Sequence, residues 1–344
     1  MPIADYDATS GDWRAQIKRN ECRTRWVIFT YLFIFVAVGL IVDAYILQAQ
    51  HPGMALSQAF SLLIAFKVVP IATLILGGVA GASLFITFHM HDRIMLLGTH
   101  SREITSENAT SIEEKQLYNV VDEMKVAAGM QYMPKVYLID ANYMNAFASG
   151  YSEKSAMVAI THGLLKKLSR SELQAVMAHE LSHIRHHDIK LNLTVAVLSN
   201  ILLIVIDVLF YNILFGRDRR GDNRIVMVIV ILRFVLPILT MALALFLNRT
   251  REYMADAGAV ELMRDNEPLA RALLKISHDH EMHAEEYAKE YGVTAHEQVR
   301  QASYLFDPSR IDPVKSFHNM FSTHPQIEQR LQAIGFRKEK AKDK

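Results

Sequence analysis

Four long apolar segments constrain the fold of this chain more than any other feature of its sequence. They extend over residues 26–48, 68–90, 191–215 and 225–247. A helix needs about 20 predominantly apolar residues to cross the hydrocarbon core of a bilayer, and each segment reaches that length. Buried helices of a soluble protein are the alternative. Since 51% of the residues are hydrophobic and only 21% are charged, the sequence favours a polytopic α-helical membrane protein.

The second pair of apolar segments carries one acidic and one basic side chain. If the two segments form a hairpin that turns near Arg219 and Arg220, Asp207 and Arg233 come to similar depth. Because a lone charge in lipid is costly, we expect these two residues either to pair or to face a water-filled cavity.

Basic residues predict how the chain is oriented in the membrane. The first 25 residues are polar, without a cleavable signal peptide, and rich in Lys and Arg, whereas residues 49–61 contain neither. The positive-inside rule therefore places the N-terminus and the region from about residue 91 in the cytoplasm. Four arginines in residues 216–224 do not fit this orientation, because two full crossings would place that loop on the outer face. Either the second pair of segments does not cross fully, or the first pair dominates the orientation.

Charge and motifs exclude several classes of partner. The net charge of +1 gives no support to a nucleic-acid partner, and no G-x-x-x-x-G-K-[ST] motif is present for ATP. Cys22 is the single cysteine, so a disulfide framework and a thiolate metal site are both excluded. Any bound metal must therefore be held by histidines and carboxylates.

A small α/β lobe is predicted between the two apolar pairs. Residues 115–130 have helical spacing, and residues 135–140 and 156–161 read as strands. A further helix is predicted to begin at Ser169, because Glu172 follows it at the spacing of a capping box.

The helix after Ser169 contains an H-E-x-x-H motif. His179 and His183 are four residues apart, so both rings face one side of the helix and can meet one tetrahedral ion. Glu180 lies beside them, where a carboxylate can take a proton from an attacking water. His186 and His187 point elsewhere, and we expect them to be solvated or at the level of the lipid headgroups.

The third metal ligand must come from outside this helix. Glu252 is the first good candidate, with Asp256 one turn later to orient a histidine. The alternative is a surface helix on which Arg249 and Arg251 pair with these acids.

The motif HELSH between apolar pairs, followed by REYMAD, resembles the HtpX-type membrane zinc metalloproteases, relatives of the CAAX prenyl proteases. The resemblance implies that His179, His183 and Glu252 bind one zinc ion and that Glu180 is the catalytic base. The Asp of the family's E-[FY]-x-A-D segment falls on Asp256. The resemblance also extends to NAFASG at 145–150 and THPQIEQR near the C-terminus.

Two further roles follow from the resemblance. His324 and Arg330 match the pair that stabilises the tetrahedral intermediate, which suits two donors aimed at a developing oxyanion. The alternative places His324 at a helix N-terminus and Arg330 in solvent. Asn145 is implied as a substrate contact, beside a strand edge at 156–161 that pairs with extended substrate. Histidines and acids in 277–298 depart from the pattern, and indicate an exposed helical insertion or a second metal-binding tract.

The expected fold is an α-helical membrane protein with a small α/β zinc-peptidase (gluzincin-like) catalytic lobe. The resemblance implies an ATP-independent zinc endopeptidase of the bacterial inner membrane, which cleaves membrane or misfolded proteins in quality control under stress, with its lobe facing the cytoplasm. A prenyl-protein protease and an inactive scaffold are the alternatives. The predicted parts are an N-terminal segment (1–25), a transmembrane hairpin (26–90), a lobe with the motif helix (91–190), a second hairpin (191–247) and the rest of the lobe (248–344).

Overall fold

The structure is a computed structural model that describes most of the chain as two compact units. We call them the lobe and the helical unit. The lobe comprises residues 1–23, 90–191 and 247–344, and the helical unit comprises residues 24–89 and 192–246. The described residues are 6–8, 13–51, 53–96, 100–150, 152–215, 223–287, 305 and 325–338.

The four apolar segments all form α-helices. Three described helical stretches are long and apolar enough to cross a membrane: Lys18–Gln50, Lys190–Phe215 and Arg224–Met263. The segment at 68–90 gives a shorter apolar stretch, Ile71–Thr87. The helices that contain these stretches, with one short helix between the first two, are α1 (Trp13–Gln50), α2 (Leu56–Ile64), α3 (Ile71–Leu96), α7 (Asp188–Phe215) and α8 (Asn223–Met263).

The helical unit is apolar both inside and outside. Its core includes Phe35, Leu63 and Leu202, which are all buried. Large apolar side chains such as Phe33 and Phe234 are each 65% exposed, which is a surface suited to lipid.

Asp207 of α7 and Arg233 of α8 form an ion pair inside the helical unit. The Arg233 Nε lies 2.5 Å from the Asp207 Oδ1. This contact confirms the pairing expected from the sequence, and it spares each residue the cost of a lone charge among apolar helices.

The lobe contains a four-stranded mixed sheet in the order β2-β3-β5-β4. The parallel pair β3 and β5 lies in the centre, and β2 and β4 are antiparallel edges. The prediction that the strand at 156–161 offers a free edge is wrong, because β3 and β4 flank it on both sides. The strands are β2 (Ser101–Ile104), β3 (Lys135–Ile139), β4 (Ala146–Ser149) and β5 (Met157–Thr161), and a separate pair joins β1 (Tyr6–Ala8) to β6 (Phe336–Lys338).

Within the described part of the lobe, five further helices accompany the end of α8. The predicted helix at 115–130 is α4, and the predicted motif helix is α6. The helices are α4 (Ile112–Ala127), α5 (His162–Lys167), α6 (Arg170–Arg185), α9 (Glu267–Met282) and α10 (Ile327–Ala333). α6 packs against α4, α9 and β4 and buries Leu173, Val176 and Leu181 completely. Its motif residues are therefore held on a helix fixed from several sides.

Candidate active site

The start of α6 is set by the capping box that the sequence predicts. The Ser169 hydroxyl accepts a hydrogen bond from the Glu172 N–H, and the Glu172 carboxylate accepts one from the Ser169 N–H at 2.8 Å. These bonds satisfy N–H groups that a helix start leaves without partners. One face of the helix then presents His179 and His183, whose Nε2 atoms are 3.1 Å apart.

Glu252 of α8 completes a three-residue cluster with the two histidines. Its carboxylate oxygens lie 3.8 Å from the His179 Nε2 and 3.5 Å from the His183 Nε2. Close packing of α6 on α8 permits this approach, because a Cβ at Gly258 would lie only 2.5 Å from the Ser182 Oγ. The alternative of a surface helix is wrong, since Glu252 is only 6% exposed.

The donor set fits a tetrahedral metal ion. Two ligands about 2.0–2.1 Å from zinc lie about 3.3–3.4 Å apart, close to the separations in this cluster. One ligand atom from each of the three residues lies within 4.8 Å of the others, and no second group of this kind is found among the described residues. Burial, and secondarily His179, lowers the pKa of His183 to about 3, so its imidazole is neutral as a metal ligand must be.

A carboxylate orients each of the two histidines from behind. The His179 Nδ1 lies 3.0 Å from Asp256 Oδ1, and the His183 Nδ1 lies 2.8 Å from Asp188 Oδ2. Such contacts fix the tautomer and direct the Nε2 atom at the metal. The structure places Asp256 where the sequence predicted it. Asp188 was missed, although an acid five residues after the second histidine, just beyond the motif helix, was the available signal.

Arg251 belongs to the same group of side chains. It pairs with Asp188, and its Nη2 donates to the His186 carbonyl at 2.8 Å. Arg251 therefore does not neutralise Glu252, as the surface-helix alternative required. It holds the carboxylate that orients His183.

Glu180 is buried beside the cluster, with 1% of its surface exposed. Burial, followed by the charge of Glu252, raises its pKa well above the usual range for a glutamate. Arg330 and the backbone N–H of Ala148 act in the opposite direction. Glu180 is therefore close to Glu252 and Arg330 of the site and to Ala148 of β4.

Arg330 is buried within the site, and the alternative that places it in solvent is wrong. Its Nε and Nη2 donate to the two oxygens of Asp256 at 2.9 and 2.7 Å. Its Nη1 donates to the Leu305 carbonyl at 3.0 Å and lies 3.3 Å from the Glu252 Oε2. Burial alone would lower the pKa of Arg330, but the carboxylates of Asp256 and Glu252 outweigh this effect and raise it.

The remaining predicted residues have mixed outcomes. His324 lies outside the described residues. Asn145 is fully buried immediately before β4, where its N–H donates to the Thr161 hydroxyl at 2.9 Å. His187 is exposed, and His186, which was expected to be solvated or at the level of the lipid headgroups, is only partly exposed. The His186 ring lies half-buried near Gly258, and burial, followed by Arg251, lowers its pKa to about 4.

The described part of the His-rich segment is not simply exposed. His280 is 1% exposed at the end of α9, and Tyr287 is buried. The Tyr287 hydroxyl donates to Asp279 at 2.7 Å and accepts from Lys167 at 3.0 Å. These side chains bind the first part of the segment to the lobe, and residues 288–298 lie outside the described residues.

The contact between His183 and Asp188 gives a testable prediction. If the cluster holds a metal ion, we expect Asp188→Asn to weaken its binding about 10- to 100-fold, because His183 loses the carboxylate that orients it. A zinc titration against a competing chelator measures this affinity. Asp122→Asn, an exposed site on α4, is the matched control and should bind zinc like the parent protein. Equal affinity in both variants would contradict the role of Asp188.

In the site, two histidines and a glutamate can bind a metal, and a second glutamate is buried beside them. Together with the apolar helices, this arrangement defines a membrane metallopeptidase. The model of Peptidase family M48 matches residues 111–338. A "Protease HtpX homolog" of Helicobacter acinonychis (strain Sheeba) is 39% identical over 93% of this chain and 97% of the relative. One of Listeria monocytogenes serotype 4b (strain CLIP80459) is 36% identical over 93% and 98%. The crystal structure of S. mikatae Ste24p aligns with a TM-score of 0.45 and 17% identity, over 96% of this chain and 68% of that one.

The chain therefore belongs to Peptidase family M48. It is a membrane metalloprotease, and its resemblance to the HtpX type is confirmed. Neither the prenyl-protein protease nor the inactive scaffold is favoured.

Proposed function

We propose that the protein is a zinc endopeptidase in which His179, His183 and Glu252 hold one zinc ion per chain. The observation that carries this proposal is the convergence of two Nε2 atoms and one carboxylate at separations near those of a tetrahedral site. Glu180 is not needed to hold a metal, yet it lies buried beside the cluster. Its position favours an enzyme over a protein that only binds zinc.

Each side chain has a distinct part in the proposed hydrolysis. Zinc, when bound, supplies the Lewis acidity that lowers the pKa of a water to about 7 and polarises a peptide carbonyl. Glu180 accepts a proton from the water as the water oxygen bonds to the carbonyl carbon. Glu180 then delivers that proton to the leaving nitrogen as the C–N bond breaks. Asp256 and Asp188 keep the two histidines oriented throughout.

Arg330 is proposed to stabilise the negative charge that develops on the carbonyl oxygen, together with His324. The arrangement of the Arg330 donors supports this role. Nε and Nη2 donate to Asp256, while Nη1 donates to the backbone carbonyl of Leu305. A guanidinium fixed on one side needs no reorganisation when charge appears on the other side.

The substrate is proposed to bind as an extended strand along β4. Among the described strands β4 lies at an edge of the sheet, and an edge strand offers N–H and C=O groups to a further strand. Asn145 is proposed to contribute to substrate binding. Its buried hydrogen bond to Thr161 supports an effect through the position of β4.

We place this activity in the bacterial inner membrane, with the lobe on the cytoplasmic side, acting on membrane or misfolded proteins. The basic residues before α1 and the lack of Lys and Arg in residues 49–61 support this orientation. A short edge strand can pair only with an extended segment of substrate, which favours unfolded over folded proteins. The absence of a P-loop motif from the sequence supports cleavage without ATP.

An assay on detergent-purified, zinc-loaded protein tests the proposed substrate class. Casein, which is unfolded, should be cleaved at least about ten-fold faster than a stably folded soluble protein, because opening free energies limit access to folded segments. Addition of ATP should leave both rates unchanged. A rate that depends on ATP, or equal cleavage of both substrates, would contradict this part of the proposal.

A further inference from the structure

The ion pair of Asp207 and Arg233 lies deep in the second apolar hairpin. About 12 Å of helix separates Asp207 from the end of α7 at Phe215, and about 15 Å separates Arg233 from the start of α8 at Asn223. Since the hydrocarbon core of a bilayer is about 30 Å thick, both charges lie near its middle. The guanidinium of Arg233 cannot reach the headgroups while its Nε stays at Asp207.

The helical unit does not enclose this pair. The side chain of Asp207 is 41% exposed and that of Arg233 is 34% exposed. A guanidinium has five N–H donors, and one carboxylate at its Nε cannot accept from all of them. Lipid tails offer no acceptor, so polar groups exposed at this depth cost free energy unless a further protein group meets them.

The surface beside the pair has the pattern of a helix–helix contact. Four large side chains of α7, each at least 55% exposed, form a stripe that comprises Ile204, Val208, Tyr211 and Phe215. Their spacing of four, three and four residues is that of the seam along which two helices pack. Asp207 lies at the margin of this stripe, where charged side chains reach across to a neighbouring helix.

The charges of the pair are complementary to those of a second copy of the chain. Copies inserted in the same orientation are related by an axis along the bilayer normal, so each side chain meets groups at its own depth. Asp207 and Arg233 already share one depth, since they are in contact. A two-fold rotation reverses the order of the two charges, so the Asp207 of each copy faces the Arg233 of the other.

We propose that the protein forms a two-fold symmetric dimer in the membrane through the stripe on α7 and the ion pair of Asp207 and Arg233. The two stripes pack against each other. The two ion pairs become a ring of four alternating charges, in which each guanidinium has a second carboxylate as acceptor and the ring is shielded from lipid. The dimer goes beyond the proposed peptidase function and does not depend on the metal site.

Energy transfer between labelled copies in phosphatidylcholine vesicles measures the dimer. Cys22 is the single cysteine and is exposed, so donor and acceptor dyes can be attached without a substitution. Dilution with lipid then gives the Kd of the dimer. Asp207→Leu combined with Arg233→Met should raise this Kd at least about ten-fold, because two contacts between the copies are lost. Apolar replacement of a buried ion pair usually preserves folding.

Disulfide cross-linking in native membranes tests the contact surface while the ion pair stays intact. In a Cys22→Ser background, Ile204→Cys lies near the centre of the stripe and should link to the same residue of a second copy on mild oxidation. Leu74→Cys is the matched control, because Leu74 lies on α3 and both leucine and isoleucine are 62% exposed. This control should stay unlinked.

Three results would overturn the proposal. Absence of linkage at Ile204→Cys would show that the copies do not meet at the stripe, whether or not energy transfer occurs. Equal dimerisation of the apolar double variant would show that the charges contribute nothing to the contact. Linkage of Ile204→Cys to a different membrane protein, and not to its own copy, would assign the stripe to that protein. If the apolar variant does not fold, the two cysteine variants decide.

Discussion

Replacing Glu180 by glutamine should lower the rate of peptide cleavage by about 10²- to 10⁴-fold while leaving the bound metal in place. The amide has the shape of the carboxylate but cannot accept the proton of an attacking water. The substitution also removes a buried acid next to Glu252. The charge of Glu252 disfavours ionisation of Glu180 in the parent protein. The variant should therefore fold at least as well as the parent protein. Metal analysis and casein cleavage on the same sample measure the two effects.

Glu172→Gln is the matched control for this experiment, because it makes the same change on the same helix. A glutamine at the third position of a helix still completes a capping box, so α6 should keep its start. Cleavage by this variant should stay near the parent rate. If Glu180→Gln also cleaves within about ten-fold of the parent, general base catalysis by Glu180 is refuted.

The elements that could be predicted from the sequence are those with local signals. The length of an apolar run predicts a membrane helix, and the capping box at Ser169 predicts the start of α6. Spacing of four residues predicts that His179 and His183 share a face, and the structure brings them together. Glu252 needed the resemblance as well, because nothing local distinguishes a ligand from an acid on a surface helix.

The features that could not be predicted depend on contacts between distant segments. β4 has four residues, Ala146–Ser149, which are too few to show an alternating pattern. Without it, the strand at 156–161 looked like an edge. Asp188 is the first residue of α7, and its contact with His183 depends on how the chain turns between α6 and α7.

The ion-pair partner of Arg251 could not be predicted from the sequence either. Two arginines beside Glu252 and Asp256 suggested local ion pairs on a surface helix. In the structure, Arg251 pairs with Asp188, and Arg330 from α10 pairs with Asp256. Burial favours whichever partner can be desolvated together with the charge, and the sequence does not show which partner that is.

Glu252→Ala should lower zinc affinity by more than about 100-fold, which is more than about 2.8 kcal/mol. Loss of a carboxylate that orients a ligand histidine already lowers metal affinity about 10- to 100-fold. This variant loses one of the three ligands themselves. Cleavage should be lost together with the metal. Competition with a chelator measures the affinity, and zinc added in excess should restore little activity, because the carboxylate that completes the site is gone.

The variant also leaves Arg330 with one carboxylate fewer, so metal loss must be separated from unfolding. Glu252→Gln keeps the volume and an acceptor oxygen for Arg330, and it should lose zinc while it unfolds close to the parent temperature. Glu261→Ala removes another glutamate of α8, which pairs with Arg185 near the surface, and should keep both zinc and activity. Retention of stoichiometric zinc in Glu252→Ala would show that the third ligand lies elsewhere. The cluster of His179, His183 and Glu252 would then be a consequence of packing alone.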